Sequence, residues 1–251
     1  MKLNDEYSKI PREVHAACKL PDNLDATVWR YMDFLKFESL LRESALYLCR
    51  ADFLQDRFEG SYSRQQLLDM DAWLESLGYP EIIDTERQDR IRNRERTYIS
   101  CWCVSNFDLD LMWKAYVRNP PGVALKSTVR QLQQVCEKAF DLRPLDISLV
   151  RYIDLAGGEF INYPGMPEVF FYKDTHFYLD NELRIVYWPS MNPPTPTHVL
   201  LPVSLSDLIV SVVLAPGAPS EFVKKVREAL DEVGLKTAPV EFSRDDRDLI
   251  E

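Results

Sequence analysis

Residues 97–104 read TYISCWCV, and residues 182–188 read ELRIVYW. Both runs are short and dense in aromatic and β-branched residues, so each predicts a strand. Outward from them, Val28–Met32, Ala45–Cys49, Val123–Lys126, Leu149–Ile153, Leu208–Leu214 and Val240–Phe242 read as further strands. Helical spacing places Phe37, Leu40 and Leu41 on one short helix. Ser63–Leu77 also reads as a helix, and so does the segment with Leu109, Met112, Trp113 and Tyr116, with Asp108 as its expected cap. So does Thr128–Ala139, with Ser127 as its expected N-cap. Pro219–Val233 carries the clearest apolar stripe, through Phe222, Val226 and Leu230, and Gly234 stands where a C-terminal cap belongs. Strands outnumber long helices and do not alternate strictly with them. That order predicts an α+β fold. The expected sheet is mixed and largely antiparallel, is flanked by helices, and ends in a C-terminal strand-helix-strand unit. The domain is expected over residues 28–243, after an irregular arm (1–27) and before a polar tail (244–251).

The bulk numbers exclude several classes. The chain has 251 residues, 46% of them hydrophobic and 28% charged, which suits a globular protein with a sizeable core. A net charge of −10 repels nucleic acid and anionic membrane at long range. Residues 84–96 hold many arginines, but interleaved acids make this a solvated helix face. The N-terminus lacks an apolar run of signal-peptide length, and the longest apolar stretch, near Leu208–Ala215, is too short to span a bilayer. Cys18, Cys49, Cys101, Cys103 and Cys136 form an odd, scattered set. A cytoplasmic protein with reduced thiols is therefore expected. Cys101 and Cys103 share a strand face, but three histidines and no second cysteine pair make a poor zinc inventory.

Four blocks carry a resemblance. They are Trp29-Arg30-Tyr31-Met32-Asp33-Phe34 with Leu40-Leu41; Leu46–Gly60 (LYLCRADFLQDRFEG); Ser100-Cys101-Trp102 with Met112-Trp113, Tyr116 and Gly122–Thr128 (GVALKST); and Lys173, Phe177 and Glu182-Leu183-Arg184. Together they resemble a bacterial family, domain-of-unknown-function family 2971, over residues 28–243. Arg57 stands where that family has a proline, and Asp180 stands for the first glutamate of its E-x-E-x-R block. The resemblance implies no settled reaction. It does imply that Arg30, Asp56, Glu59, Ser100, Lys173, Glu182 and Arg184 occupy signature positions.

The same residues suggest three chemistries. Asp180, Glu182 and Arg184 fall on one face if the strand has begun by Asp180. Charges at the start of so apolar a strand need partners, so they form either a structural ion network or the wall of a polar cleft. Arg30 either pairs with Glu182 or Glu59, or holds a carboxylate or phosphate in its planar fork. Asp56 and Glu59 either brace their loop or receive a ligand.

The order Arg30, Ser100, Glu182 matches arginine-serine-glutamate ADP-ribosyltransferases. In that reading the cofactor is NAD and Arg30 holds its phosphates. Ser100 positions the site, Glu182 stabilises the charge that develops as nicotinamide leaves, and Tyr31 or Phe177 stacks on the ring. A second reading is a metal-dependent nuclease, with Asp56, Glu59 and Glu182 holding Mg²⁺ beside Lys173. The third is a non-catalytic ligand- or protein-binding module.

Overall fold

The structure is a computed structural model, and it describes residues 18–56, 58–140, 145–161, 167–189 and 195–244. The fold is α+β. Strand β1 (Thr27–Asp33) runs straight into helix α1 (Phe34–Glu43), which returns the chain to β2 (Ala45–Arg50). An excursion then forms a helical hairpin, α2 (Arg64–Ser76) and α3 (Pro80–Glu95). Pro80 opens the second helix, where its missing N–H costs nothing. Next come β3 (Tyr98–Val104), α4 (Asp110–Tyr116), β4 (Gly122–Thr128), α5 (Val129–Phe140), β5 (Leu145–Leu149) and β6 (Arg151–Ile153). The chain continues through β7 (Tyr172–Asp174), a 3-10 turn at Thr175–Asp180, and β8 (Glu182–Tyr187). It ends with β9 (His198–Pro202), α6 (Leu205–Leu208), β10 (Ser211–Leu214), α7 (Ser220–Glu232) and β11 (Val240–Phe242).

Nine strands form the main sheet. Seven follow the order β11-β10-β4-β1-β3-β2-β9, with β8 on β3 and β5 on β8. Every pairing in it is antiparallel except β10–β11. A small parallel sheet joins β6 and β7.

The position of β3 decides the rest. One of its edges pairs with β8 along Tyr98–Cys103. Its other edge is shared by two strands: β1 meets it at Cys103 and Val104, and β2 meets it at Tyr98 and Ile99. Between those pairings β1 and β2 splay apart, and Ser100, Cys101 and Trp102 face the resulting fork.

One sheet face carries the main core. Val28, Met32, Tyr98, Trp102, Val123, Leu125, Leu183 and Ile185 lie there under Phe37, Leu40 and Leu41 of α1. Leu132 and Val135 of α5 and Phe222, Val226 and Leu230 of α7 complete the cover. The opposite face carries two smaller clusters. One joins Ile99 and Val186 to Phe170, Phe171 and Tyr172, and the other joins Trp29, Tyr31, Cys103 and Ala124 to Met112 and Trp113. A polar strip crosses the sheet between them.

Several local expectations need correcting. Residues 149–153 are not one strand, because β5 ends at Leu149 and β6 starts at Arg151. Leu208 closes helix α6, and only Ser211–Leu214 is strand. The segment His198–Pro202, hidden behind a proline-rich link, is strand β9 because β2 offers it a hydrogen-bonding edge. Ser127 does not cap α5: it belongs to β4, and its hydroxyl donates to the Leu208 carbonyl at 2.6 Å. Thr128 takes the capping role, accepting from the Gln131 N–H at 3.2 Å. Asp108 likewise caps nothing; it accepts from the Trp113 indole and the Ser243 hydroxyl. Of the polar arm, residues 18–26 are irregular and Thr27 opens β1; Lys19 fastens this part, its N–H donating to Ser148 Oγ at 2.8 Å. Residues 1–17, 245–251 and Arg57 lie outside the described residues.

Gly60 shows how tightly the second cluster packs. Its φ is +65°, and an added Cβ would stand 2.1 Å from the fully buried Phe170 ring. Gly60→Ala is expected to cost about 2–4 kcal/mol, from left-handed backbone strain plus overpacking. Gly78→Ala, at φ +80° with open space around it, should cost only about 1–2 kcal/mol. Urea unfolding of the two variants against wild type checks the difference.

Candidate functional site

The polar strip is built on the start of β8. Arg184 is the centre and is 1% exposed. Its Nη1 and Nη2 grip both oxygens of Glu59, at 2.5 and 3.0 Å. Its Nε donates to Glu182 Oε2 at 2.6 Å, and Nη1 also donates to the Phe170 carbonyl at 2.7 Å. The other Glu182 oxygen accepts from Lys173 Nζ at 2.6 Å, and Lys173 reaches on to Asp180 at 2.7 Å. The chain of charges is Glu59, Arg184, Glu182, Lys173, Asp180, with signs alternating along it.

Each member is placed by a different element. Period two puts Glu182 and Arg184 on one face of β8, and Lys173 comes from β7. Asp180 ends the 3-10 turn, and Asn181, at φ 40°, turns the chain into the strand. The strand therefore begins after Asp180, and it is the turn that brings this carboxylate back to Lys173. Glu59 is held by its loop: Asp56 Oδ1 accepts from the Phe58 N–H at 2.8 Å, and the Asp56 carbonyl accepts from the Glu59 N–H at 3.2 Å.

Burial and pairing compete at every titratable group. Burial alone would push Glu182 up, but Arg184 and Lys173 outweigh it and hold the carboxyl at about 2. Burial raises Glu59 despite Arg184, and it raises Asp180 with help from Glu182. Burial opposes the charges of Lys173 and Arg184, yet Glu182 and its companions raise both. Cys101 and Cys103 line the same strip; burial raises both thiols, Cys103 to about 12, so neither is a nucleophile near neutral pH.

Arg30 is elsewhere. In the antiparallel ladders Trp29 pairs with Cys103, and Cys103 pairs with Glu182, so those three share a face. Arg30 follows Trp29 and starts from the other face, together with Ser100 and Trp102. The expected pairing of Arg30 with Glu182 or Glu59 is therefore corrected: Arg184 takes both acids. Arg30, Ser100 and Glu182 do not converge on one cleft, because strand alternation separates the first two from the third.

The Arg30 guanidinium instead enters the fork. Nη2 donates to the Tyr47 carbonyl of β2 at 2.7 Å, and Cζ lies 5.8 Å from the Trp102 ring centre. Among the described residues, Nη1 is buried without a hydrogen-bond partner, and so are Ser100 Oγ and Trp102 Nε1, whose residues start from the same sheet face. Burial lowers the guanidinium to about 10, and the groups whose charges act on it are Cys101, Cys49 and Tyr47, none of them a carboxylate.

The remaining candidates are occupied. The Tyr31 hydroxyl accepts from the Leu109 N–H, and its ring meets Trp113 edge-on at 4.9 Å. Phe177 lies 4.3 Å under the Lys173 ammonium and 3.8 Å from the His176 ring. Asp56, Glu59 and Glu182 do not form a metal cage, since Arg184 and Lys173 take the glutamate oxygens and Asp56 braces its loop. Among the described residues, no three His, Cys, Asp or Glu side chains gather as a metal site needs. Sequence reading missed Tyr47, Trp102 and Tyr152, whose hydroxyl accepts from the Glu182 N–H at 2.9 Å. Each reads as an ordinary core or strand aromatic, and only its tertiary neighbours distinguish it. No known protein family, curated protein or solved structure matches the chain.

Replacing Arg184 by Met strands the buried Glu59 carboxylate, leaves Glu182 with Lys173 alone, and should cost about 3–5 kcal/mol. A pH profile isolates Glu182. Its folded value of about 2 lies below the ordinary 4.5, so its stabilisation is present above 4.5 and lost as pH falls towards 2. Across that window wild type should lose about 3 kcal/mol more stability than Glu182→Gln. Denaturant midpoints measured at each pH read this out, and parallel profiles would refute it.

Proposed function

We propose that the protein is a binding module for a small ligand bearing a phosphate or carboxylate, received by Arg30 at the fork between β1 and β2. The observation that carries this reading is the contrast between two arginines. Arg184 is buried and fully answered by two glutamates. Among the described residues, Arg30 is a guanidinium with one backbone acceptor, an Nη1 without a hydrogen-bond partner and no carboxylate among the charges that act on it. A buried cation without an anion is costly, and such a cost is tolerated where a ligand supplies the missing charge. The unpartnered hydroxyl of Ser100 and indole N–H of Trp102 add hydrogen-bonding capacity of the kind an oxyanion uses. Arg30 keeps part of its surface exposed, which leaves an approach from solvent.

The NAD-dependent transferase reading keeps Arg30 as its phosphate holder. It also requires a free carboxylate beside Arg30, whereas Glu182 faces away and is held by Arg184 and Lys173. The resemblance to family 2971 fits a division of labour among its signature positions. Asp56, Glu59, Lys173, Glu182 and Arg184 brace the protein, and Arg30 and Ser100 remain for a ligand.

Calorimetric titration of the full chain with pyrophosphate and with citrate tests the proposal. At least one is expected to bind, with affinity falling about 10- to 100-fold in Arg30→Met, the loss of a charge-assisted hydrogen-bonding pair. Arg30→Met should change unfolding free energy by no more than about 2 kcal/mol, the loss of its one hydrogen bond to the Tyr47 carbonyl. A loss of 3–5 kcal/mol, as for a broken ion pair, or no anion binding by wild type, sinks the proposal. Nicotinamide release from NAD that Glu182→Gln abolishes would favour the transferase instead.

A further inference from the structure

We propose that the ligand taken at this fork is a mononucleotide, its phosphates on Arg30 and its base on the exposed ring pair of Tyr47 and His198. This inference rests on the anion-binding reading and names the ligand class. Strand β2 links the two halves of the site. Its Tyr47 carbonyl is the group that Arg30 grips, and its Tyr47 ring is stacked with His198 of β9, with centroids 4.7 Å apart and planes 16° apart. Tyr47 is 44% exposed, and His198 is exposed as well. The charge of Arg30 acts on the Tyr47 hydroxyl, so the cation and the platform lie within electrostatic reach of each other.

Core packing does not explain this ring pair, because both rings face solvent. A near-parallel pair at the surface is a plane onto which a third flat ring extends the stack. Stacking on such a platform tolerates any base, since every base presents a π-face. Aliphatic carboxylates could use Arg30 but would gain nothing from the rings. Bare phosphate is in the same position. A polynucleotide is disfavoured by the net charge of −10, which opposes a long phosphate backbone far more than a single nucleotide.

The test compares ADP with pyrophosphate, which share the diphosphate and differ in the base and sugar. Titration of the full chain should give ADP at least about tenfold tighter binding than pyrophosphate. Tyr47→Leu should bring ADP to within about threefold of pyrophosphate and leave pyrophosphate itself unchanged. His198→Ala, a change at an exposed strand end, should do the same in part, and it serves if the first variant folds poorly. Equal wild-type affinities for the two ligands overturn the nucleotide inference and leave the anion site standing. So does an equal loss of both ligands in Tyr47→Leu and His198→Ala. Failure of wild type to bind either ligand removes both the inference and the reading beneath it.

Discussion

The buried pairing of Arg184 with Glu59 and Glu182 ties together the parts of the chain that surround the middle of the sheet. Through Glu59 it fixes the loop after β2, and through the Phe170 carbonyl it fixes the segment before β7. Through Glu182 and Lys173 it fixes β7 and the turn that leads into β8. Ion pairs this deeply buried do not guarantee net stability, since desolvation consumes much of the Coulombic gain. What they guarantee is that no partner can leave alone. Removing any one side chain exposes its neighbours to the full cost of an uncompensated charge. The network therefore acts as a geometric constraint on loops that also pack through the small Phe170–Phe171 cluster.

The same sheet treats Arg30, which is only half-buried, differently. Arg30 lies on β1, two strands from β8, and starts from the opposite side of the strand alternation. The reason is topological. The edge of β3 opposite β8 is divided between β1 and β2, and the guanidinium occupies the place where neither strand completes the ladder. A strand edge left open in a sheet interior needs a polar group to answer its backbone, and Arg30 does this through Tyr47. Its remaining N–H is the part the fold does not use. Structural bracing and ligand reception thus fall to two different arginines, although their residues are interleaved in the sequence.

The sequence showed clearly which residues were under unusual constraint. Charges at the start of the apolar run 182–188 had to be paired or functional, and they are paired. For Asp56 the sequence left bracing and ligand binding open, and the structure shows it bracing its loop through the Phe58 N–H. Tyr47 and His198 were not readable, because stacking across β2 and β9 depends on a strand pairing that a proline-rich link obscures. Ser127 and Asp108 looked like helix caps because the cap signature is local, whereas their actual partners, Leu208 and Ser243, are distant in the chain.

By itself, the sequence determined the fold class and most of the elements, because the order and periodicity of apolar residues are local properties of the chain. It also determined that Arg30, Glu182 and Arg184 needed special surroundings, since charge beside apolar strand residues is expensive wherever the strand goes. Only the tertiary structure decided which charge meets which. Register assigns each side chain to one face of the sheet, and a shift of one residue exchanges the faces. That single parity gave both glutamates to Arg184 and left Arg30 in the fork without an acid. No pattern in the sequence sets it, because the relative register of β1, β3 and β8 is fixed by packing between segments far apart in the chain.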